Sequence, residues 1–319
     1  MKKLIAIGEA LIDFIPSEKS KPIKNVSAFY PNVGGAPANV CGAFTKLGGS
    51  SEMITQLGND PFGDKIIDEF EKYGIGHSYV SRTDKANTSL AFVALNEKGN
   101  REFSFYRNPG ADMLLSPESI KEECFDDGYC LHFCSVSLGE FPMREAHKKA
   151  IEIALRKNML VSFDPNIRLP LWKDKNKLKE AVIEFMPLAH IVKISDEEIE
   201  FITGKKNVSD AKDILFKGNT KIVIFTKGAD GAEVHRIHDF GYSVCENVKA
   251  VDTTGAGDAF IGSFLYKMCE NNITVKNLNT IPVEFLTNIL DFSNKFCTIS
   301  ITRKGAIASY PDNFKEVLK

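Results

Sequence analysis

The sequence predicts an α/β protein, a mainly parallel sheet covered by helices on both faces, with one small sheet standing off it. Short apolar runs of strand length alternate with amphipathic segments of helix length, the rhythm that builds parallel sheets. Two extended stretches, near 11–33 and 88–110, interrupt that rhythm. A chain of 319 residues, 43% of them hydrophobic, suffices for one large domain with a smaller appendage or for two ordinary domains.

Taken in order, Lys3 to Gly8 is an apolar run ending in glycine, which suits a buried first strand. Residues 11–33 lack helical periodicity and contain Pro16, Pro22 and Pro31. Gly34-Gly-Ala-Pro-Ala-Asn39 then opens a helix, with Pro37 in its first turn. Val40, Ala43, Phe44 and Leu47 form its apolar stripe, and Gly48-Gly49 stops it. Met53 to Leu57 reads as a strand, and Asp64 to Tyr73 as a helix ended by Gly74. Residues 90–95 and 101–106 flank a polar turn at 96–100, the pattern of a β-hairpin. Strands are expected near 129–134, 159–163, 190–194 and 221–226, with helices between them. A helix starting near Gly257 carries the stripe Ile261, Phe264, Leu265 and Met268, and a last long helix runs from about Val283 to Ser300.

Composition excludes several functions. The formal net charge is -2, and lysines are interleaved with acids, so nucleic acid is not an expected partner. Seven cysteines, odd in number and irregularly spaced, argue for a reducing compartment over a disulfide framework. Glu9 and Asp13 interrupt the apolar start before a signal segment forms, and no run is long enough to span a membrane. A cytoplasmic protein with no membrane partner is expected. No P-loop signature occurs, and Gly255-Ala-Gly257 lacks the final glycine of a dinucleotide fingerprint. Cys130, His132 and Cys134 share one face of a strand, but neighbours two apart lie roughly 6.5 Å from one another, too far to chelate zinc without bending.

Asp252-Thr-Thr-Gly-Ala-Gly-Asp258 is the most informative stretch. Gly255, Ala256 and Gly257 are small enough for their backbone N–H groups to converge on an anion. The helix start behind them adds about half a positive charge. Asp258 places a carboxylate at the same spot. An anion cradle beside a single carboxylate is equipment for moving a phosphoryl group onto a hydroxyl. The alternative is an ordinary loop-to-helix junction with Asp258 as a cap.

Two segments together resemble one family. Gly34-Gly-Ala-Pro-Ala-Asn39, with Leu47-Gly-Gly49 beyond it, and Asp252 to Asp258 are similar to the paired signatures of the ribokinase-like, or PfkB, carbohydrate kinases. The similarity runs from Gly8-Glu-Ala-Leu-Ile-Asp13 to Thr302-Arg-Lys-Gly-Ala306, essentially the whole chain. It implies a single kinase domain over 1–319 with a Rossmann-like three-layer core, and a small β-sheet lid formed by about 11–33 and 88–110. Three further segments, at 105–115, 164–172 and 193–198, resemble the bacterial fructokinases. Fructose phosphorylated to fructose 6-phosphate is therefore the expected reaction, with 2-keto-3-deoxygluconate kinase, ribokinase and a catalytically silent scaffold as alternatives.

By this resemblance Asp258 takes the proton from the sugar hydroxyl, while Gly255, Ala256 and Gly257 hold the transferring phosphate. Asp13, Gly34, Gly35 and Asn39 would bind sugar hydroxyls, the rival readings being an exposed loop acid for Asp13 and a helix cap for Asn39. Arg107 and Arg168 are further sugar candidates, with surface salt bridges as the rival. Lys193, Thr226, Gly228, Gly231 and Asn294 fall where relatives bind ATP. Most relatives carry Asn-x-x-Glu near the Mg²⁺-linked phosphates; here it is Ser195-Asp-Glu-Glu198, so Glu198 keeps the acidic role through water, and the pair equally suits a capping box. Backbone oxygens of Asp252, Thr254, Arg303 and Gly305, with Ser309, resemble a monovalent-cation site, potassium in many relatives. A homodimer paired through the lid is the remaining expectation, since an exposed sheet needs cover.

Overall fold

The computed structural model describes residues 2–18, 20–95 and 101–317. The chain opens with β1 (Lys3–Ile7), β2 (Leu11–Pro16) and β3 (Phe29–Gly34), followed by α1 (Ala36–Lys46) and β4 (Ser50–Gly58). Next come α2 (Pro61–Tyr73), β5 (Ile75–Gly76), β6 (Val80–Thr83), β7 (Leu90–Leu95) and β8 (Arg101–Tyr106). The alternating part runs β9 (Gly128–Cys134), α3 (Pro142–Arg156), β10 (Leu160–Asp164), α4 (Lys175–Phe185), β11 (Ile191–Ser195), α5 (Asp196–Thr203), α6 (Lys212–Leu215) and β12 (Ile222–Thr226). A hairpin, β13 (Ala232–His235) and β14 (Phe240–Ser243), precedes the long helices α7 (Ala256–Glu270) and α8 (Val283–Ile301).

Among the described residues, ten strands form the main sheet in the order β14-β13-β12-β11-β10-β9-β1-β4-β5, with β6 joining beside β4. All pairs from β12 to β6 are parallel; only β13 and β14 run antiparallel, at one edge. β1 shows why both faces are covered. Leu4 and Ala6 enter one core with Phe44, Phe264 and Phe296, while Ile5 and Ile7 enter the other with Phe133, Phe163 and Phe185. A strand buried on both faces reads as a continuous apolar run because each side of its two-residue repeat meets a helix layer.

Local chemistry sets the element ends. Asp60 caps α2 by accepting from the Phe62 and Gly63 N–H groups, with Pro61 at the first position, so the helix begins three residues before Asp64. Gly74, in the left-handed region, closes it as expected. The β13–β14 hairpin adds two antiparallel strands after the last of the four strand runs expected beyond residue 128. Its strands are short, four residues each, with Ala232 and Val234 buried in the core, and it is held by pairing to β12 and by packing against α8.

The two interruptions in the rhythm form a separate four-stranded sheet, in the order β3-β2-β7-β8. β7 and β8 pair antiparallel, Leu90 opposite Tyr106; the turn expected at 96–100 lies outside the described residues. Phe14 and Phe92 stack at 4.5 Å between ring centres, with Phe29 edge-on to Phe92 at 5.2 Å, which holds the small sheet together. No helix among the described residues is long and apolar enough to cross a membrane.

Candidate active site

A cleft of ≈ 1240 Å³ lies along the C-terminal ends of the parallel strands, between the small sheet and the start of α7. This is where open α/β sheets bind ligands, because successive strand-to-helix loops diverge there. Asp164 ends β10, Ser195 ends β11 and Thr226 ends β12, and all three line it.

Asp258 sits in the first turn of α7, 7% exposed and facing the cleft. Its Oδ2 accepts from Asn39 Nδ2 at 2.8 Å, and its Oδ1 from Asn166 Nδ2 at 3.3 Å. Burial pushes its carboxyl up to about 6, against the lowering effect of the Asn39 bond; the Asp164 charge adds to the rise, while Arg168 and Lys193 oppose it. The carboxylate is thus ionised at neutral pH and oriented by two amides. Asn39 Oδ1, buried beside it, has no hydrogen-bond partner among the described residues, an open acceptor for a ligand hydroxyl.

Gly255 supplies the left-handed turn (φ 73°) into α7, and its carbonyl accepts from both the Ala259 N–H at 2.8 Å and the Tyr310 hydroxyl at 3.0 Å. That carbonyl is held away from the cleft, leaving the first-turn N–H groups at the open end of the helix. Lys193 completes this corner. Its Nζ bonds Asp164 Oδ2 at 2.8 Å and lies 3.3 Å from where a side chain on Gly257 would begin. Burial opposes the ammonium, but Asp164, Glu198 and Asp258 together raise it, so it stays charged.

At the other end of the cleft, Asp13 on β2 lies against Gly34 on β3: a Cβ on Gly34 would fall 2.1 Å from Asp13 Oδ2. Gly35 (φ 106°) packs on the Glu9 carbonyl, 2.4 Å from where its own Cβ would be. Gly35 therefore has to be glycine, while a side chain at 34 would displace the Asp13 carboxylate. Burial raises the Asp13 carboxyl to about 7, with Arg168 opposing and Asp258 and Glu9 adding to the rise. Arg168 is exposed on the cleft wall. Arg107 does not line the cleft. It is turned into a buried ion pair with Asp112 and reaches Ser137 Oγ at 3.4 Å, which is neither a place on the cleft wall nor the surface salt bridge of the rival reading.

Thr226, Gly228, Gly231 and Asn294 gather in a third region of the cleft, with Cys245 and Cys297. Asn294 Nδ2 donates to Ser243 Oγ at 2.7 Å, and its Oδ1 accepts from Cys245 Sγ at 3.3 Å. Ser195 and Glu198 make the capping box of α5. Glu198 Oε1 also accepts from the Ile167 N–H at 2.8 Å, so both oxygens are pinned by backbone while the residue lines the cleft. Asp252 accepts from the Thr254 and Gly305 N–H groups, which draws the 252–254 and 303–305 loops together. Ser309 is buried and donates to the Ala306 carbonyl.

The sequence gives no site signal for Glu9, Ser137, Asp164, Asn166, Cys245 or Cys297, which lie in or beside the site. Asp164 and Asn166 lie in the 164–172 segment that resembles the bacterial fructokinases, and Glu9 reads in the sequence only as a break in an apolar run. His132, raised as a zinc question, instead contacts Ser162 Oγ at 3.1 Å, and burial lowers its ring to about 3.

Comparison with known proteins agrees with this geometry. Residues 1–313 match the family model described as pfkB family carbohydrate kinase. Fructokinase-2 of Solanum lycopersicum is 37% identical over 309 residues, covering 97% of this chain and 93% of the relative. The fructokinase of Xylella fastidiosa with bound ATP superposes with a TM-score of 0.91 at 32% identity, over 99% of this chain and 97% of that one. The fructokinase of Vibrio cholerae O395 with fructose, ADP and calcium bound gives 0.87 at 30% identity, over 100% and 98% of the two chains.

Proposed function

This chain belongs to the pfkB family of carbohydrate kinases, enzymes that move a phosphoryl group to a sugar hydroxyl, and from that premise we propose that it converts fructose to fructose 6-phosphate with ATP. The observation that carries the proposal is the Asp258 carboxylate, held by Asn39 and Asn166 at the open start of α7.

The sugar lies on the Gly34-Gly35 floor, with hydroxyls bonded by Asp13, the free Asn39 oxygen and Arg168. Its hydroxymethyl oxygen meets Asp258. A carboxylate is a weak base for an alcohol, but that oxygen becomes far more acidic as it bonds to phosphorus, so orientation and timing are the main contribution. The first-turn amides from Gly255 to Gly257 and the Lys193 ammonium face the charge that builds on the transferring group. ATP extends toward Thr226, Gly228, Gly231 and Asn294. Mg²⁺, when bound, would neutralise charge on the terminal phosphates. Glu198 fits a hydrated ion, because both its oxygens are pinned by backbone and offer a fixed charge rather than an open chelate. The loops clamped by Asp252 suit a monovalent cation held by the Asp252, Thr254, Arg303 and Gly305 carbonyls with Ser309.

The small sheet acts as a lid over the sugar. Tyr30 and Tyr106, 62% and 65% exposed on it, support a homodimer paired through that sheet, and a monomer by sedimentation at micromolar concentration would contradict this. The functional test is ADP release with purified protein across fructose, ribose, 2-keto-3-deoxygluconate and glucose. Fructose should give the highest kcat/KM; preference for another sugar overturns the substrate assignment.

A further inference from the structure

Where the small sheet is rooted in the core, a buried polar chain runs through residues that have no place in the reaction above. Arg107 directly follows β8. Its Nε donates to Asp112 Oδ2 at 2.9 Å, its terminal nitrogen bonds the same oxygen, and its guanidinium lies over the Phe141 ring at 5.5 Å. The other Asp112 oxygen accepts from the hydroxyl of Ser89, the residue before β7. Ser137 Oγ takes the Arg107 contact at 3.4 Å and donates to Glu9 Oε2 at 3.0 Å. Glu9 Oε1 in turn accepts from the Ala36 N–H at 3.3 Å, directly after the Gly34-Gly35 floor.

Every strand of the small sheet leaves the core within two residues of a member of this chain: Glu9 before β2, Ala36 after β3, Ser89 before β7 and Arg107 after β8. A serine hydroxyl has one proton and two lone pairs, so Ser137 can accept from Arg107 while donating to Glu9. It is the joint between the guanidinium and the floor. Burial raises the Glu9 carboxyl and the Arg107 charge opposes that rise, so the arginine also keeps Glu9 a strong acceptor.

We propose that Arg107 is a positioning residue for the sugar, acting through Ser137 and Glu9 on the backbone at 34–36 without touching the substrate. This rests on the reading of that backbone as the sugar floor. Fructose placed there is sensed by all four roots of the small sheet at once, because the chain ties them to one buried cation.

The test separates relayed action from direct contact, using steady-state kinetics of the full chain bearing Ser137→Ala, Arg107→Lys, or both. Ser137→Ala leaves Arg107 and Glu9 in place but removes the joint. It should raise KM for fructose at least about tenfold, the scale of one hydrogen bond to a charged group. The kcat and the KM for ATP should stay within about twofold of the parent, a split that general loosening of the fold does not produce. Arg107→Lys should raise the same KM, and the double variant should be no worse than the worse single, since both cut one relay. An unchanged fructose KM in Ser137→Ala, or effects that multiply in the double variant, would overturn the relay. Should the alanine variant not fold, Glu9→Gln carries the same comparison with Arg107→Lys. A parent protein that does not phosphorylate fructose at all would instead overturn the functional assignment.

Discussion

Replacing Asp258 by asparagine should destroy turnover while making the protein more stable, and the stability gain should depend on pH. In the fold, burial holds this carboxyl near 6 against an ordinary 3.8, a rise of about two units. Each unit corresponds to about 1.4 kcal/mol, so keeping the side chain ionised costs the native state about 3 kcal/mol. The sign follows from linkage. Below pH 4 both native and unfolded chains carry the proton and the cost vanishes; it grows between pH 4 and 6 and is full above about 7. The substituted amide would carry no charge at any pH. It can offer its oxygen to Asn39 but then turns a second amide toward Asn166, which loses about 1 kcal/mol. Relief of Asp13, whose carboxyl is raised partly by Asp258, adds in the opposite sense. The expected net gain at pH 8 is about 1–3 kcal/mol, or about 2–4 °C in Tm for a chain of 319 residues. Paired thermal melts from pH 4.5 to 8.5 would show the two proteins converging at the acid end. At the same time kcat should fall by at least about 100-fold, the typical contribution of a positioned base. A variant less stable than the parent at pH 8, or a gain independent of pH, would refute the claim that the fold holds this acid against its preference.

Other outcomes follow from the same geometry. With fructose saturating, so that Asp13 near 7 acts on KM, the kcat of the parent should fall about tenfold per pH unit below about 6 as Asp258 gains its proton; Asn39→Ala, which removes a donor from the charged form, should move that limb upward by about one unit, and a limb that stays put excludes Asp258 as the titrating group. Gly34→Ala puts a methyl 2.1 Å from Asp13 Oδ2, so fructose binding measured calorimetrically should weaken by at least about tenfold; unchanged affinity would remove Asp13 from the sugar site. Lys193→Met strands the buried Asp164 charge and should cost about 3–5 kcal/mol of stability. Adding Asp164→Asn should restore stability without restoring kcat; recovery of turnover in the pair would mean that Lys193 serves only the fold.

The part of the site legible in the sequence is the part built from contiguous residues with unusual backbone needs. The 34–39 and 252–258 segments combine glycine turns with helix starts, and a turn that only glycine can make leaves its mark locally. The buried strands were equally readable, because covering both faces of a parallel sheet demands continuous apolar runs. Arg107 shows the limit. Its motif pointed to the sugar, yet which way a long side chain turns depends on partners such as Asp112 and Ser137, and the sequence contains no signal for that choice.

By itself, then, the order of residues determined the layer architecture and the small second sheet, through short-range periodicity and backbone geometry, and its 34–39 and 252–258 motifs carried the resemblance to the family. Tertiary structure alone decided that Asn39 and Asn166, 127 residues apart by their numbering (166 − 39), converge on Asp258, and that burial lifts its carboxyl to about 6. The reason is physical. Hydrogen bonds between distant elements and the loss of water around a charge exist only once the chain has closed around them.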